Sequence, residues 1–206
     1  MRQTIGVVTI TFNSASVIEP FMESMLSQTH QDFILYIIDN ISSDNTLELI
    51  AKYPDERVVI IANQDNVGVA AGNNQGMHKA LEDGCEYVML LNNDVEFEAD
   101  LFKKLIREMN DHKFSLITPK MMYHSDPERI WYAGCKWNIQ QGYMAPHRGQ
   151  KEIDTGKYDK VEQVDYAPTC CVLMKKEVID DIGFMDEKYF AYYDDTDYFY
   201  RISKHK

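Results

Sequence analysis

Glu86-Tyr87-Val88-Met89-Leu90-Leu91-Asn92-Asn93-Asp94 decides how the rest of the chain is read. An unbroken apolar run from Tyr87 to Leu91 that passes straight into two amides and a carboxylate describes a strand buried on both faces and ending in a polar site. Open α/β sheets bind their ligands just beyond such strand ends. A carboxylate flanked by amides suits a hard divalent cation, Mg²⁺ or Mn²⁺, which takes oxygen ligands and keeps places free for phosphates. The same three residues also suit an ordinary turn or helix N-cap, for local reasons alone.

Upstream, Thr4 to Phe12, Phe33 to Ile38 and Val58 to Ala62 are rich in β-branched and aromatic side chains and read as three more strands. Between them, Val17, Ile18, Phe21, Met22, Met25 and Leu26 recur at helical spacing, with Pro20 in the first turns where it is tolerated. Ser42, Ser43 and Asp44 offer N-caps to a second helix that carries Leu47, Ile50 and Tyr53 and stops at Pro54. A third helix places Gly68, Gly72 and Gly76 along one face, a spacing that lets a backbone or a ligand come close at a cost in helix propensity. Downstream, a helix from about Asp100 buries Leu101, Leu105, Ile106 and Met109. These strand and helix units predict a parallel, doubly wound sheet. Their strands end at Thr11-Phe12-Asn13, Asp39-Asn40, Asn63 to Asn66 and Asn92 to Asp94, so one sheet edge gathers amides and carboxylates.

Beyond Ser115 the units are shorter: strand candidates at Leu116 to Thr118 and Arg129 to Ala133, then Gln140 to Tyr158 as a long surface loop. Val164 to Met174 is apolar and β-rich, Lys175 to Ile182 is a helix closed by Gly183, and Tyr198, Phe199 and Ile202 form the apolar side of a last helix. With 206 residues, 45% of them apolar, the chain can bury one large core. A net charge of −12 without a Lys/Arg cluster argues against nucleic acid as a partner. Neither an apolar run of membrane-spanning length nor a leader pattern appears, and Cys85, Cys135, Cys170 and Cys171 lack metal or redox spacing, so a reducing cytoplasm is expected.

No GxGxxG opens the first helix and no GxxxxGK[ST] occurs, which argues against a dinucleotide fold and a P-loop enzyme. A phosphate ligand would have to arrive with a cation. Phe12 could stack on a base, and Asp39 could accept a hydrogen bond from a ring N–H. His30, His78, His112, His124 and His147 show no paired spacing, and Trp131 and Trp137 read as packing. His147-Arg148 suits either a solvated loop or a counter-charge folding over a diphosphate. Asp194, Asp195 and Asp197 suit the N-terminus of the last helix, where the macrodipole favours acids.

The chain resembles a family 2 glycosyltransferase with the GT-A fold, in particular its rhamnosyltransferase-like members. The resemblance is carried by Val7 to Asn13 with Leu26-Ser27-Gln28-Thr29, by Ile37-Ile38-Asp39-Asn40-Ile41-Ser42-Ser43-Asp44, and by Asn66-Val67-Gly68-Val69-Ala70-Ala71-Gly72-Asn73-Asn74. It continues through Leu90 to Asp94, Val164 to Met174, and Phe190-Ala191-Tyr192-Tyr193-Asp194-Asp195-Thr196-Asp197. It implies a single α/β domain over residues 1–206 with a mixed, mainly parallel sheet flanked by helices. Residues 1–112 would form the nucleotide-binding half, and residues 113–206 the acceptor-side half, with further helices expected beyond Lys206.

By the same resemblance, Asp39 holds the nucleobase, Thr11, Phe12 and Asn13 line the nucleotide pocket, and Asn66, Gly68, Asn74 and Asn93 belong to it. Asp94 binds Mn²⁺ or Mg²⁺ on the diphosphate, Asp195 is the general base, and Tyr193 and Asp194 lie on the acceptor side. Two features depart from the family pattern. The metal motif lacks a leading Asp, and Pro168-Thr169-Cys170 and Tyr193 stand where small residues and a Trp are usual.

The implied reaction is inverting transfer of a sugar from a nucleotide-diphosphate donor to a saccharide or lipid-linked acceptor in cell-surface polysaccharide biosynthesis. It would take place in the cytoplasm, with peripheral association at the inner face of the membrane. A nucleotide-sugar-binding domain that is catalytically incomplete is the alternative, followed by a nucleotidyltransferase, whose Gly-rich basic loop is missing at Asn13-Ser14-Ala15-Ser16.

Overall fold

The predicted strand and helix units are present and in order. In the computed structural model, which describes residues 3–138, 140 and 146–205, β1 (Ile5–Thr11), β2 (Phe33–Asp39), β3 (Val58–Ala62) and β4 (Tyr87–Leu91) are all parallel. They are connected by α1 (Ile18–Leu26), α2 (Thr46–Ile50) and α3 (Gly68–Glu82), and α4 (Leu101–His112) follows β4. Next come β5 (Leu116–Ile117), the hairpin β6 (Met121–Tyr123) and β7 (Asp126–Tyr132), then β8 (Cys171–Lys175), α5 (Lys176–Ile182) and α6 (Asp194–Lys204). The main sheet runs β3-β2-β1-β4-β8-β5, with β8 antiparallel to both its neighbours. The order reverses between β1 and β4, which makes that edge the topological switch point.

Both faces of the sheet are covered, as the continuous apolar run of β4 requires. Ile5, Val7, Leu35, Ile37, Met89 and Leu91 point into a core shared with α1, α2 and α4. Val8, Tyr36, Ile38, Val88 and Leu90 point into a second core shared with α3, α5 and α6.

The glycines of α3 have their reason in this second layer. A Cβ at Gly76 would stand 2.2 Å from Cγ1 of Val8, one at Gly72 3.0 Å from Cδ1 of Ile10, and one at Gly6 2.4 Å from Cβ of Ala80. Three successive turns of α3 therefore lie almost directly on β1.

The second half differs from its sequence reading in three places. The strand expected at Arg129 to Ala133 begins at Asp126 and pairs with β6, which the sequence did not reveal. Residues 141–145 of the expected loop Gln140 to Tyr158 lie outside the described residues. The part from Gly149 to Asp154 is bonded to β7: Lys151 N–H donates to Ile130 O at 2.8 Å, Ile130 N–H to Glu152 O at 2.9 Å and Asp154 N–H to Glu128 O at 2.8 Å. Its glycines and charges disguise an edge segment, since edge strands carry such residues. Of Val164 to Met174, only the part from Cys171 joins the sheet, because Pro168 has no N–H to give to a ladder.

Gly76→Ala tests the α3 contact. Val8 is β-branched and cannot turn aside, so overpacking should lower the unfolding free energy by about 1 to 3 kcal/mol even though alanine is the better helix former. Urea unfolding reads the change, and an unchanged or higher midpoint would mean that α3 stands off the sheet.

Candidate active site

At the end of β2, Asp39 is 2% exposed, and its charge is balanced by donors from its own loop. Oδ1 accepts the hydroxyls of Thr11 (2.7 Å) and Ser42 (2.6 Å), and Oδ2 accepts Ser42 N–H (3.0 Å). Bringing Ser42 back onto Asp39 places Ile41 at φ 58°, an uncommon conformation for a β-branched residue. Asn13, also left-handed, accepts Ser43 N–H at 2.8 Å and donates its own N–H to Ser42 Oγ at 2.9 Å. Thr11, Asn13 and Asp39 thus form one network, and Phe12 projects from it with half of its surface exposed. The expected N-caps behave differently from their sequence reading. Ser42 serves Asp39, and only Asp44 supports α2, accepting Thr46 N–H at 3.0 Å.

At the switch point, Asn93 donates to Ile10 O at 2.6 Å and to Ser14 Oγ at 3.0 Å, tying the end of β4 to the end of β1. Asn92 N–H donates to Cys170 O at 3.0 Å. Asp94 is exposed, and its carboxylate accepts no hydrogen bond among the described residues. Among those residues no group of three or more His, Cys, Asp or Glu side chains could hold a metal ion. The donor set fits a cation that brings most of its ligands with it, as a metal diphosphate does.

The α3 residues engage the C-terminal segment. Asn66 Oδ1 accepts Gly68 N–H at 3.0 Å, and Gly68, at φ 83°, leaves room for Phe190, whose carbonyl accepts Val69 N–H at 2.7 Å. Asn74 donates to Met185 O (3.0 Å) and Glu187 Oε1 (2.9 Å) and accepts Met185 N–H (3.0 Å). Its amide holds the chain before α6 and does not face the strand ends.

That chain delivers Asp195 to the site. Tyr192 and Tyr193 precede α6 in the left-handed region, at φ 66° and 63°, and both are exposed. Asp195 Oδ1 accepts Thr196 N–H at 2.6 Å, and Oδ2 accepts the hydroxyl of Tyr166. Cys170, whose carbonyl accepts Asn92 N–H, feels the charges of both Asp94 and Asp195. Burial pushes its thiol up to about 12, and both charges act on it in the same direction. Asp194 is buried, and desolvation, with the like charge of Asp195, raises it to about 6. His147 is lowered by burial, against the Trp131 carbonyl and the charge of Asp195. Arg148 bonds Ala133 O at 2.8 Å and pairs with Glu162, so this basic pair is built into the fold beside β7.

Tyr166 and Thr196 were given no role from sequence, and Cys170 was marked only as standing, with Pro168 and Thr169, where small residues are usual. Tyr166 lies 29 residues from Asp195, and no local spacing joins them.

The model of the family described as Glycosyl transferase family 2 matches residues 6–183. The low-salt glycan biosynthesis hexosyltransferase Agl10 of Haloferax volcanii is 25% identical over 169 residues, 82% of this chain and 52% of that protein. The dTDP-rhamnosyl transferase RfbF of Shigella flexneri is 23% identical over 198 residues, 96% of this chain and 62% of that protein. A mannosyltransferase from Pyrobaculum calidifontis, solved with GDP-Man and Mn²⁺, superposes with a TM-score of 0.66 at 14% identity, over 95% of this chain and 50% of that one. The chain spans about half the length of the first curated relatives it matches.

Asp194→Asn tests the electrostatics of this cluster. The carboxyl is raised to about 6, above the ordinary carboxylate range, so its contribution to stability is present below about pH 4 and lost as pH rises through 6. The neutral variant should therefore be the more stable protein at about pH 7.5, by roughly 2 to 3 kcal/mol. Urea titrations at both pH values should show the difference vanish in acid, and a variant destabilised equally at both would refute the assignment.

Proposed function

The chain belongs to glycosyltransferase family 2 and carries its GT-A fold, and on that premise we propose that it transfers a sugar from a nucleoside-diphosphate donor to a hydroxyl of a saccharide or lipid-linked acceptor, with inversion. The observation that carries this reading is three carboxylates with different surroundings: Asp39 buried at the end of β2 with three donors on it, Asp94 exposed after β4 with no hydrogen bond among the described residues, and Asp195 held by Tyr166 and Thr196, its charge and that of Asp94 both acting on Cys170. Glycan assembly in the relatives' names supports a role in surface polysaccharide synthesis. No helix among the described residues is long and apolar enough to cross a membrane, and we place the reaction in the cytoplasm, at the inner membrane face where a lipid-linked acceptor is presented.

In this reading the Asp39 network and Phe12 receive the nucleoside, the free acceptor capacity of Asp39 Oδ2 taking a base N–H. Asp94 would hold Mn²⁺ or Mg²⁺ together with the diphosphate. When bound, that cation supplies counter-charge to the departing diphosphate. Asp195 takes the proton of the acceptor hydroxyl as its oxygen bonds the anomeric carbon from the opposite face. The bond to the diphosphate breaks, and its electron pair leaves with the phosphate oxygen. A second reading, a domain that binds the sugar nucleotide without turning it over, draws on the described residues' holding no group of three or more His, Cys, Asp or Glu side chains for a metal ion.

Asp195→Asn separates the two readings. It should keep donor affinity and lower turnover of sugar nucleotides by about 10²- to 10⁴-fold, the usual worth of a general base. Release of nucleoside diphosphate from UDP-glucose, UDP-GlcNAc, GDP-mannose and dTDP-rhamnose is the assay, and equal turnover by both proteins would refute the role.

Asp94→Ala should abolish the dependence of nucleoside-diphosphate binding on Mn²⁺ in calorimetry. The unaltered protein should bind Mn²⁺ weakly by itself and well with the diphosphate. Binding indifferent to chelator in the unaltered protein would show that the site works without the ion.

A further inference from the structure

Both oxygens of Asp195 are engaged. Oδ1 accepts Thr196 N–H at 2.6 Å and Thr196 Oγ1 at 3.2 Å, and Oδ2 accepts the Tyr166 hydroxyl. A carboxylate offers about four lone-pair directions. Among the described residues, the one that stays open therefore belongs to Oδ2, the atom that Tyr166 grips.

We propose that Tyr166 is a positioning residue, whose hydroxyl fixes the plane of the Asp195 carboxylate so that the open lone pair on Oδ2 faces the acceptor hydroxyl. This inference rests on the reading of Asp195 as the base, and it adds a residue outside the acidic motif to the machinery of transfer.

The main chain at Tyr166 is strapped to the segment after β7. Asp165 N–H donates to Cys135 O at 2.9 Å, Asp165 Oδ2 accepts Trp137 N–H at 3.1 Å, and the Tyr166 carbonyl accepts the hydroxyl of Tyr132. The ring is 7% exposed and lies against Trp137, Phe199 and His147, with centroids at 5.7, 5.9 and 6.3 Å. The phenol therefore has little freedom to swing off Asp195. Burial and the charge of Asp195 both raise its pKa, so it remains an O–H donor at neutral pH. Burial also lowers His147, which stands beside it as a neutral ring at pH 7.

A buried tyrosine needs a hydrogen-bond partner in any case, and a purely structural role is the rival account. Tyr166→Phe separates the two because it keeps the ring packing and deletes only the hydroxyl. If Tyr166 acts through Asp195, kcat for release of nucleoside diphosphate from the sugar-nucleotide panel should fall by about 10- to 100-fold with KM for the donor within about twofold, the signature of a misplaced group. Adding Tyr166→Phe to Asp195→Asn should cost nothing further, since residues that act as a unit are not additive.

Full kcat in Tyr166→Phe beside an inactive Asp195→Asn would overturn the positioning role and leave the base in place. Effects that add in the double variant, or a joint loss of donor affinity and turnover, would overturn it as well. Normal turnover in Asp195→Asn, or none with any sugar nucleotide in the unaltered protein, would instead remove the base reading and this inference with it.

Discussion

The near-contact of α3 with β1 is the constraint on which the rest of the molecule depends. Only hydrogens separate Gly72, Gly76 and Gly6 from Ile10, Val8 and Ala80, so the helix axis is fixed against the central strand. From that position α3 holds the chain that leads to α6. Gly68 and Val69 receive Phe190, and Asn74 clamps Met185 and Glu187. The chain that leads to Asp195 is thus held by a helix whose own glycines pack on β1 and Phe190. A methyl group at Gly76 would displace the support of the site as well as the core.

The four acidic side chains around the site obey one rule in different ways: a charge leaves water only where donors replace the water. Asp39 is buried and receives two hydroxyls and a backbone N–H. Asp195 is half-buried and receives Tyr166 and Thr196. Asp94 stays in solvent, where a carboxylate without partners is at no disadvantage. Asp194 is buried with weaker compensation from the first N–H groups of α6, and its affinity for a proton rises accordingly. One electrostatic principle therefore gives four carboxyls four different capacities, which their spacing in the chain does not distinguish.

Much of the fold was legible in the sequence. Periodicity gave the four parallel strands and their helices because each buries a continuous run or a single stripe, and such patterns are local. The glycine spacing of α3 announced a close approach, and the polar residues after each strand marked a polar sheet edge. The second half was less legible. Met121 to Tyr123 is a three-residue strand, the segment from Gly149 to Asp154 lies at an edge, and β8 pairs with β4 far back in the chain.

By itself, the sequence determined the parallel α/β core, the polar sheet edge and the acids Asp39, Asp94 and Asp195 as its candidates, since these follow from residue type and local period. Only the tertiary structure decided what each acid can do. It turned Asn74 from the strand ends toward Met185, built His147 and Arg148 into the segment beside β7, and set Tyr166 on Asp195. The physical reason is that solvation and hydrogen bonding are properties of a place, and the residues that define each place here come from strands and helices far apart in the chain.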